Sequence, residues 1–405
     1  MPPPLHNLLA TQFLPLCLLG LAVLQAPAQV TAPPAAPDVW REKIEEGQKL
    51  RNQERFDEAE KAFVEALEAA RRFGPGDVRL GACQNTLALF YHSRGKLEAA
   101  EKLYLQAIET LDEAVGENHP DIAKVLSSLS ALYLSQERSA EARPIAERRL
   151  RLVESAAGPD DLKLVDPLNS LSLIAFIAGD FDEAEKWQLR SLQILEGHYA
   201  QSSLEIAAAL SNLGVIYAAD DKYQRAARAL ERSLEIRGKA GDVESAAAAR
   251  DKGHLAEAYA ARLQYAEAEM LLQDSLRLRE KAIPEEHPEM ATALNNLGEI
   301  YRSQGMPKEA EQSFRRALKI WMAIAGPDHL ETAVAAHNLA TALRDQKRYS
   351  EAEQLFERSL RAFTAELGPT HPKVTQVSEA YEETRRLARI AAAAGPMFSR
   401  GVLAP

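Results

Sequence analysis

The feature that most constrains this chain is a repeat. An alanine recurs at Ala59, Ala100, Ala142, Ala184, Ala226, Ala268, Ala310 and Ala352, spaced 41 residues once and 42 residues six times. Around it an aromatic-x-Glu-Ala-Glu pattern stands intact as FDEAE twice, YAEAE and YSEAE. A period of this length marks one small structural unit used again and again, which can bury its apolar face only against its neighbours. The chain must therefore stack.

Each period divides into two amphipathic helices. In the seventh unit, residues 288–303 place Leu294, Leu297, Gly298 and Tyr301 on one stripe at helical spacing. Gly305 follows where the chain needs a left-handed residue, and Gly95 and Gly179 hold the same column in other units. Residues 307–324 then carry a second stripe of Ala310, Phe314, Ala317 and Leu318. Gly298 and Ala310 are small because two helices approach to about 8–10 Å only where bulk is missing. Hydrophobic residues make up 46% of the chain, with alanine and leucine prominent over the β-branched and aromatic residues that strands favour.

The run Asn-Leu-Gly or Asn-Leu-Ala, then tyrosine, a tight turn and Glu-Ala-Glu resembles the tetratricopeptide repeat. The 42-residue period with Gly-x-x-His-Pro between units is similar to the longer variant found in kinesin light chains and many bacterial proteins. The likeness covers residues 40–367. It implies an all-α, right-handed superhelical solenoid of about eight helix hairpins, spanning 40–371. Residues 372–394 begin like another first helix but show no turn, and read as one capping helix with Glu382, Glu383, Arg385 and Arg386 on a polar face. Residues 395–405 read as a flexible tail.

Residues 1–28 carry no Lys, Arg, Asp or Glu, and 13–24 (FLPLCLLGLAVL) has the length of a signal-peptide core. Ala26-Pro27-Ala28 places the cut before Gln29, and 29–39 reads as a Pro/Ala-rich linker. Leu16 before Cys17 is too bulky for a lipid-attachment signal. The expected destination is periplasmic or secreted, with no stable membrane insertion after cleavage. A signal peptide, and no amino-terminal coiled coil, both depart from the kinesin light chain pattern. Cys83 alone would then remain, so no intramolecular disulfide is available.

With 48 basic against 59 acidic residues and a net charge of −11, nucleic acid is excluded as a partner, and protein or peptide partners are expected. In repeats of this kind the first helix lines a concave groove. The column facing it reads Thr86, Ser128, Ser170, Asn212, His254, Asn296 and Asn338. The three asparagines resemble an asparagine ladder, whose amides can pair with any peptide backbone. Alternatively they bond to neighbouring helices. One turn away, Leu89, Ala131, Leu173, Ile177, Ala208, Val215 and Ala219 are apolar, whereas Arg250, Glu257, Thr292, Glu299, Ser303, Thr341 and Asp345 are polar or charged. The apolar set, notably Leu173 and Val215, serves either as anchors for a peptide or as packing between adjacent helices.

No catalytic residue, metal site or cofactor is expected. His119, His287, His329 and His371 share one lattice column, so stacking holds them about 10 Å apart, too far to converge on zinc. They read as caps or packing at the turn between units. Cys83 shares a column with Val125, Pro167, Ala209, Asp251, Ala293 and Ala335, mostly small or apolar residues that suggest burial. The repeating Glu pairs and the clusters Arg148-Arg149-Arg151 and Arg315-Arg316-Lys319 read as a solvated coat on the second helices. The expected function is a non-catalytic scaffold gripping an extended segment in its groove. The alternatives are a helper for envelope assembly or secretion that uses its convex face, and an enzyme of unrecognised class.

Overall fold

The computed structural model describes residues 38–393. The signal peptide (1–28), the linker up to residue 37, residue 394 and the tail (395–405) lie outside the described residues. The described residues form two compact units, divided between Gln201 and Ser202. The first contains α1 (Val39–Asn52), α2 (Phe56–Arg71), α3 (Val78–Ser93), α4 (Leu97–Val115), α5 (Ile122–Ser135), α6 (Ser139–Ala157), α7 (Val165–Ile177) and α8 (Phe181–His198), with a 3-10 turn at Leu162–Leu164. The second contains α9 (Leu204–Ala219), α10 (Tyr223–Ala240), α11 (Ala246–Ala261), α12 (Tyr265–Ala282), α13 (Pro288–Ser303), α14 (Pro307–Ile324), α15 (Leu330–Asp345), α16 (Tyr349–Leu367) and α17 (Pro372–Ala393). No strand occurs among the described residues. Each odd helix up to α15, here an A helix, forms a hairpin with the even B helix that follows it. Both units are all-α solenoid stacks, and α17 runs unbroken and packs on α16. Helix α1 starts at Val39, so the last residue assigned to the linker is already helical.

The hairpin turn is identical in all eight copies. The residue ending it is left-handed at Glu54, Gly95, Glu137, Gly179, Asp221, Leu263, Gly305 and Lys347, with φ from +56° to +77°. The next N–H then reaches back five residues, as Met306 N does to the Tyr301 carbonyl (2.8 Å) and Gln264 N to that of Tyr259 (2.9 Å). This is the Schellman arrangement, which satisfies carbonyls that the helix end leaves open. Three copies use glycine, and five hold a side chain in a backbone region that disfavours one.

Inside each hairpin a small A residue meets a B residue. A Cβ on Gly298 would stand 2.5 Å from the Phe314 ring, one on Gly214 2.5 Å from Leu230, and one on Gly47 2.6 Å from Phe63. Other units use Ala88, Ser130, Ser172, Ala256 and Ala340 in that column, all buried. The signature alanines, Ala59 through Ala352, are each 0% exposed, which makes them the points of closest helix approach.

At the entry to the A helices one column of residues, which includes the four histidines, accepts hydrogen bonds from backbone N–H groups two or three residues on. Asp77 accepts from Arg79 N (2.8 Å), Asp161 from Lys163 N (2.8 Å) and Ser245 from Ala248 N (3.0 Å). In the same column His287 Nδ1 accepts from Glu289 N (3.2 Å), His329 from Glu331 N (3.2 Å), His371 from Lys373 N (3.1 Å) and His119 from Asp121 N (3.3 Å). His287 and His329 are thereby the N-caps of α13 and α15, a role worth about 1 kcal/mol, whereas His119 bonds within the turn before α5, whose N-cap is Asp121.

Within each unit the A helices of successive hairpins touch directly: α1 with α3 and α3 with α5, then α9 with α11, α11 with α13 and α13 with α15. No comparable contact joins successive B helices. Layers that close up on one side bend toward it, so the A face is the inside of the bend in each unit. The B helices are joined instead by long ion pairs. Arg148 reaches Asp112 (2.6 Å) and Arg316 reaches Glu280 (3.3 Å), which accounts for part of the basic clusters.

Candidate functional site

The A face differs between the two units, and each is described separately. In the first, Thr86, Ser128 and Ser170 lie partly exposed along α3, α5 and α7. Their hydroxyls donate to the carbonyls one turn back, Ala82 (2.9 Å), Lys124 (3.2 Å) and Asp166 (2.9 Å). Such back-bonding uses the only donor a hydroxyl has, so these residues offer a ligand lone pairs. Ser170 also accepts from Arg149 (3.4 Å). Leu173 is half-buried and Ile177 is exposed, whereas Leu89 packs against the core of the unit.

In the second unit the column divides by residue. Asn212 on α9 is exposed and makes no hydrogen bond to the described residues, so its amide is free to bind. His254 on α11 lies 3.5 Å from Glu257, whose carboxylate also accepts a hydrogen bond from the Asn296 amide of α13. Asn338 is 8% exposed and donates to Asn295 Oδ1 (3.0 Å). Val215 is buried. Asn296 and Asn338 therefore join adjacent A helices, and Val215 packs between helices. The reason is proximity: where A helices touch, an amide reaches its neighbour before it reaches solvent.

A second polar column lies one residue earlier and was not singled out from the sequence: Asn85, Ser127, Asn169, Ser211, Gly253, Asn295 and His337. The Asn295-Asn296 doublet was its signal. Asn85 Oδ1, Asn169 Oδ1 and His337 Nδ1 in this column are buried with no hydrogen-bond partner. Buried polar atoms are normally satisfied, but B helices hold such atoms too, among them Tyr104 Oη, Gln188 Nε2 and Ser191 Oγ, so they do not set the A face apart.

One buried network of the second unit is structural. Asp251 is 2% exposed and accepts from Ser211 Oγ (2.6 Å), Ser233 Oγ (2.6 Å) and Arg237 Nε (2.8 Å). Arg237 also pairs with Asp242 (2.7 Å). The network ties α9, α10 and α11 together. Cys83 is 1% exposed, and burial pushes its thiol up to about 12, which holds it protonated at neutral pH.

A search of curated proteins finds no match. Among solved structures, the chain is similar to a signal-transduction ATPase with a tetratricopeptide repeat sensor from Pyrococcus horikoshii, with 15% identity and a TM-score of 0.57 over 86% of this chain and 55% of that one. A tetratricopeptide repeat protein from Parabacteroides merdae gives 16% identity and 0.51, over 76% and 100%. A kinesin light chain candidate from Podosopora anserina, with nearly identical repeats, gives 22% and 0.45, over 51% and 97%. At these identities the likeness concerns fold. Among the described residues no helix is long and apolar enough to cross a membrane. Tetratricopeptide repeat sequence profiles match residues 47–113, 84–155, 163–239, 244–323, 289–365 and 331–393, so the repeats account for most of the chain, and it belongs to the tetratricopeptide repeat family.

Proposed function

We propose that this protein is a non-catalytic scaffold outside the cytoplasm that holds a segment of a partner protein against its A-helix faces. Family membership supports a protein–protein interaction scaffold, and such repeats serve too many processes for the fold to name a partner. The observation that carries the finer reading is the contrast between faces. In the second unit the A side exposes Ala208 and the amide of Asn212, which bonds no described residue, while Arg316 of the B side is held by Glu280. Location outside the cytoplasm rests on the apolar run 13–24 and the Ala26-Pro27-Ala28 site.

A second reading has its own support. A shallow hollow of about 380 Å³ on α4, with Leu105 and Ile108 as its apolar floor and Glu109, Asp112, Glu113 and Glu117 around it, lies on the B side. It fits a basic, apolar-tipped segment of a folded partner. The test is capture of partners from envelope extract by the mature chain, by a variant carrying Ile177→Glu, Ala208→Glu and Asn212→Arg, and by Leu105→Glu. Loss with the triple variant alone supports the A face. Loss with Leu105→Glu alone overturns it in favour of the B side. Amino-terminal sequencing of exported protein should begin at Gln29, and an uncleaved cytoplasmic chain would contradict the location.

A further inference from the structure

Helix α4 carries its charge against the rule for a helix end. Glu109 and Glu113 lie one turn apart toward its carboxyl terminus and Glu117 follows it. Acids there oppose the helix dipole, and like charges four residues apart repel. At the same two positions α12 carries Arg277 and Lys281, and no other B helix has acids at both. Asp112 beside them is held by Arg148 (2.6 Å), but the carboxylates of Glu109, Glu113 and Glu117 have no ion-pair partner among the described residues. They ring the hollow of about 380 Å³ whose floor is Ile108 and Leu105, the latter 47% exposed. The arrangement destabilises α4 locally, and no cation of the described residues offsets it.

The end of α17 is its complement. Residues 384–393 hold Arg385, Arg386 and Arg389 and no acid, in a chain whose net charge is −11. Helix α17 packs on α16 and buries Val374, Val377 and Thr384. On its other side Arg386, Arg389, Ile390 and Ala393 fall at i, i+3, i+4 and i+7, one stripe of the helix. All four are exposed, Ile390 at 58%. Arg385 is taken by Glu353 (3.3 Å) and Glu382 (3.1 Å). Arg386 is 71% exposed and only 3.9 Å from Glu383, and Arg389 has no acid among the described residues. The outer face of a capping helix is expected to be polar, and Ile390 breaks that rule between two available arginines.

We propose that the α4 hollow of one copy of this chain receives the end of α17 of a second copy, with Ile390 on Leu105 and Ile108 and with Arg386 and Arg389 among the three free glutamates. Burial of the apolar side chains supplies the attraction, and the opposed charges set the orientation. The contact joins two different surfaces, so each copy keeps one of them free after its first encounter. Association then continues until a ring closes or a filament grows. The contact uses none of the residues named on the A faces and is independent of the A-face reading. Its consequence for a scaffold is several A faces in one assembly, which raises the apparent affinity for a repeated or multivalent partner.

The test is sedimentation of the mature chain over a range of concentrations, with Leu105→Arg to disable the hollow and Ile390→Glu to disable α17. Both positions are exposed, and circular dichroism checks that each variant keeps its helices. The average mass of the wild type should rise with concentration, and high salt should weaken the association. Each variant alone should associate about tenfold or more weakly. Mixed in equal amounts, the two variants should form a one-to-one pair that grows no further, because one retains an intact hollow and the other an intact α17. A wild type that stays monomeric up to its solubility limit, association unchanged by either substitution, or a mixture that fails to pair or grows past the pair overturns the proposal. A monomeric wild type that captures a basic envelope protein, lost with Leu105→Arg, also overturns it and gives the hollow to the folded partner of the second reading. The A-face triple variant should self-associate as the wild type does, so failure here leaves the A-face reading untouched.

Discussion

Replacing Gly298 by alanine tests the closest helix contact of the second unit. A Cβ at that position would lie 2.5, 2.7 and 2.8 Å from three atoms of the Phe314 ring, and Phe314 is 0% exposed. Ordinary carbon contacts are about 3.5–4.0 Å, so the ring or the helix must move by roughly 1 Å with no open space to enter. Overpacking of this kind costs about 1–3 kcal/mol. Alanine returns about 0.5–1 kcal/mol of helix propensity over glycine, which leaves a net loss of about 0–2.5 kcal/mol. Phe314→Leu in the Gly298→Ala background removes the offending ring and copies the Ala256 and Leu272 pairing of the preceding hairpin. The double mutant should recover stability relative to the sum of the singles, with a coupling of about 1 kcal/mol or more. Urea unfolding reports the total, and hydrogen exchange places it in α13 and α14, because repeat stability is local. A cycle that is additive would refute the contact argument.

Leu263 is held at φ +63° while 70% exposed, so Leu263→Gly should stabilise the chain by up to about 1 kcal/mol, read as a higher urea midpoint. A lower midpoint would mean that the side chain contributes more than its backbone strain. Asp251→Ala leaves Arg237, 6% exposed, with Asp242 as its remaining carboxylate and should cost at least about 1–3 kcal/mol, short of the roughly 3–5 kcal/mol of a fully unpaired buried charge, whereas Asp251→Ala with Arg237→Leu should cost less. Equal losses in the two variants would contradict the buried-pair account. His337 has a folded-state pKa of about 3 against about 6.5 unfolded. Its depressed value means that the unfolded chain takes the proton first, so stability is full above pH 6.5 and falls as pH drops. The loss by pH 5 should be about 2 kcal/mol, about 1.5 pH units at about 1.4 kcal/mol each. His337→Gln should flatten the pH 7 to 5 slope of denaturant stability, and an unchanged slope would show that another group titrates there.

The hairpins were legible because the 42-residue lattice compares each position with its equivalents. Gly298, Ala310 and the histidine caps follow from residue type at a repeated position, and the burial of Cys83 from the apolar company in its column. The left-handed turns at Glu54, Glu137, Asp221, Leu263 and Lys347 were not legible, because the closure of the hairpin imposes that backbone whatever the side chain. The binding column was legible as polar but not in its division. Whether an asparagine faces solvent, as Asn212 does, or a neighbour, as Asn338 does, depends on how closely two A helices approach, a distance that no single period encodes. Asp251 stood out in an apolar column, yet its partner Arg237 lies 14 residues earlier on another helix, and only the packed hairpins bring them together.

The most direct measurement is photo-cross-linking from single positions in the living envelope, with the photoreactive residue placed at Ala208 or Asn212 on the A side and at Met270 on the B side, all exposed. A partner bound as described should be captured from Ala208 and Asn212 and not from Met270. Capture from Met270 with none from the A-side positions would contradict the account.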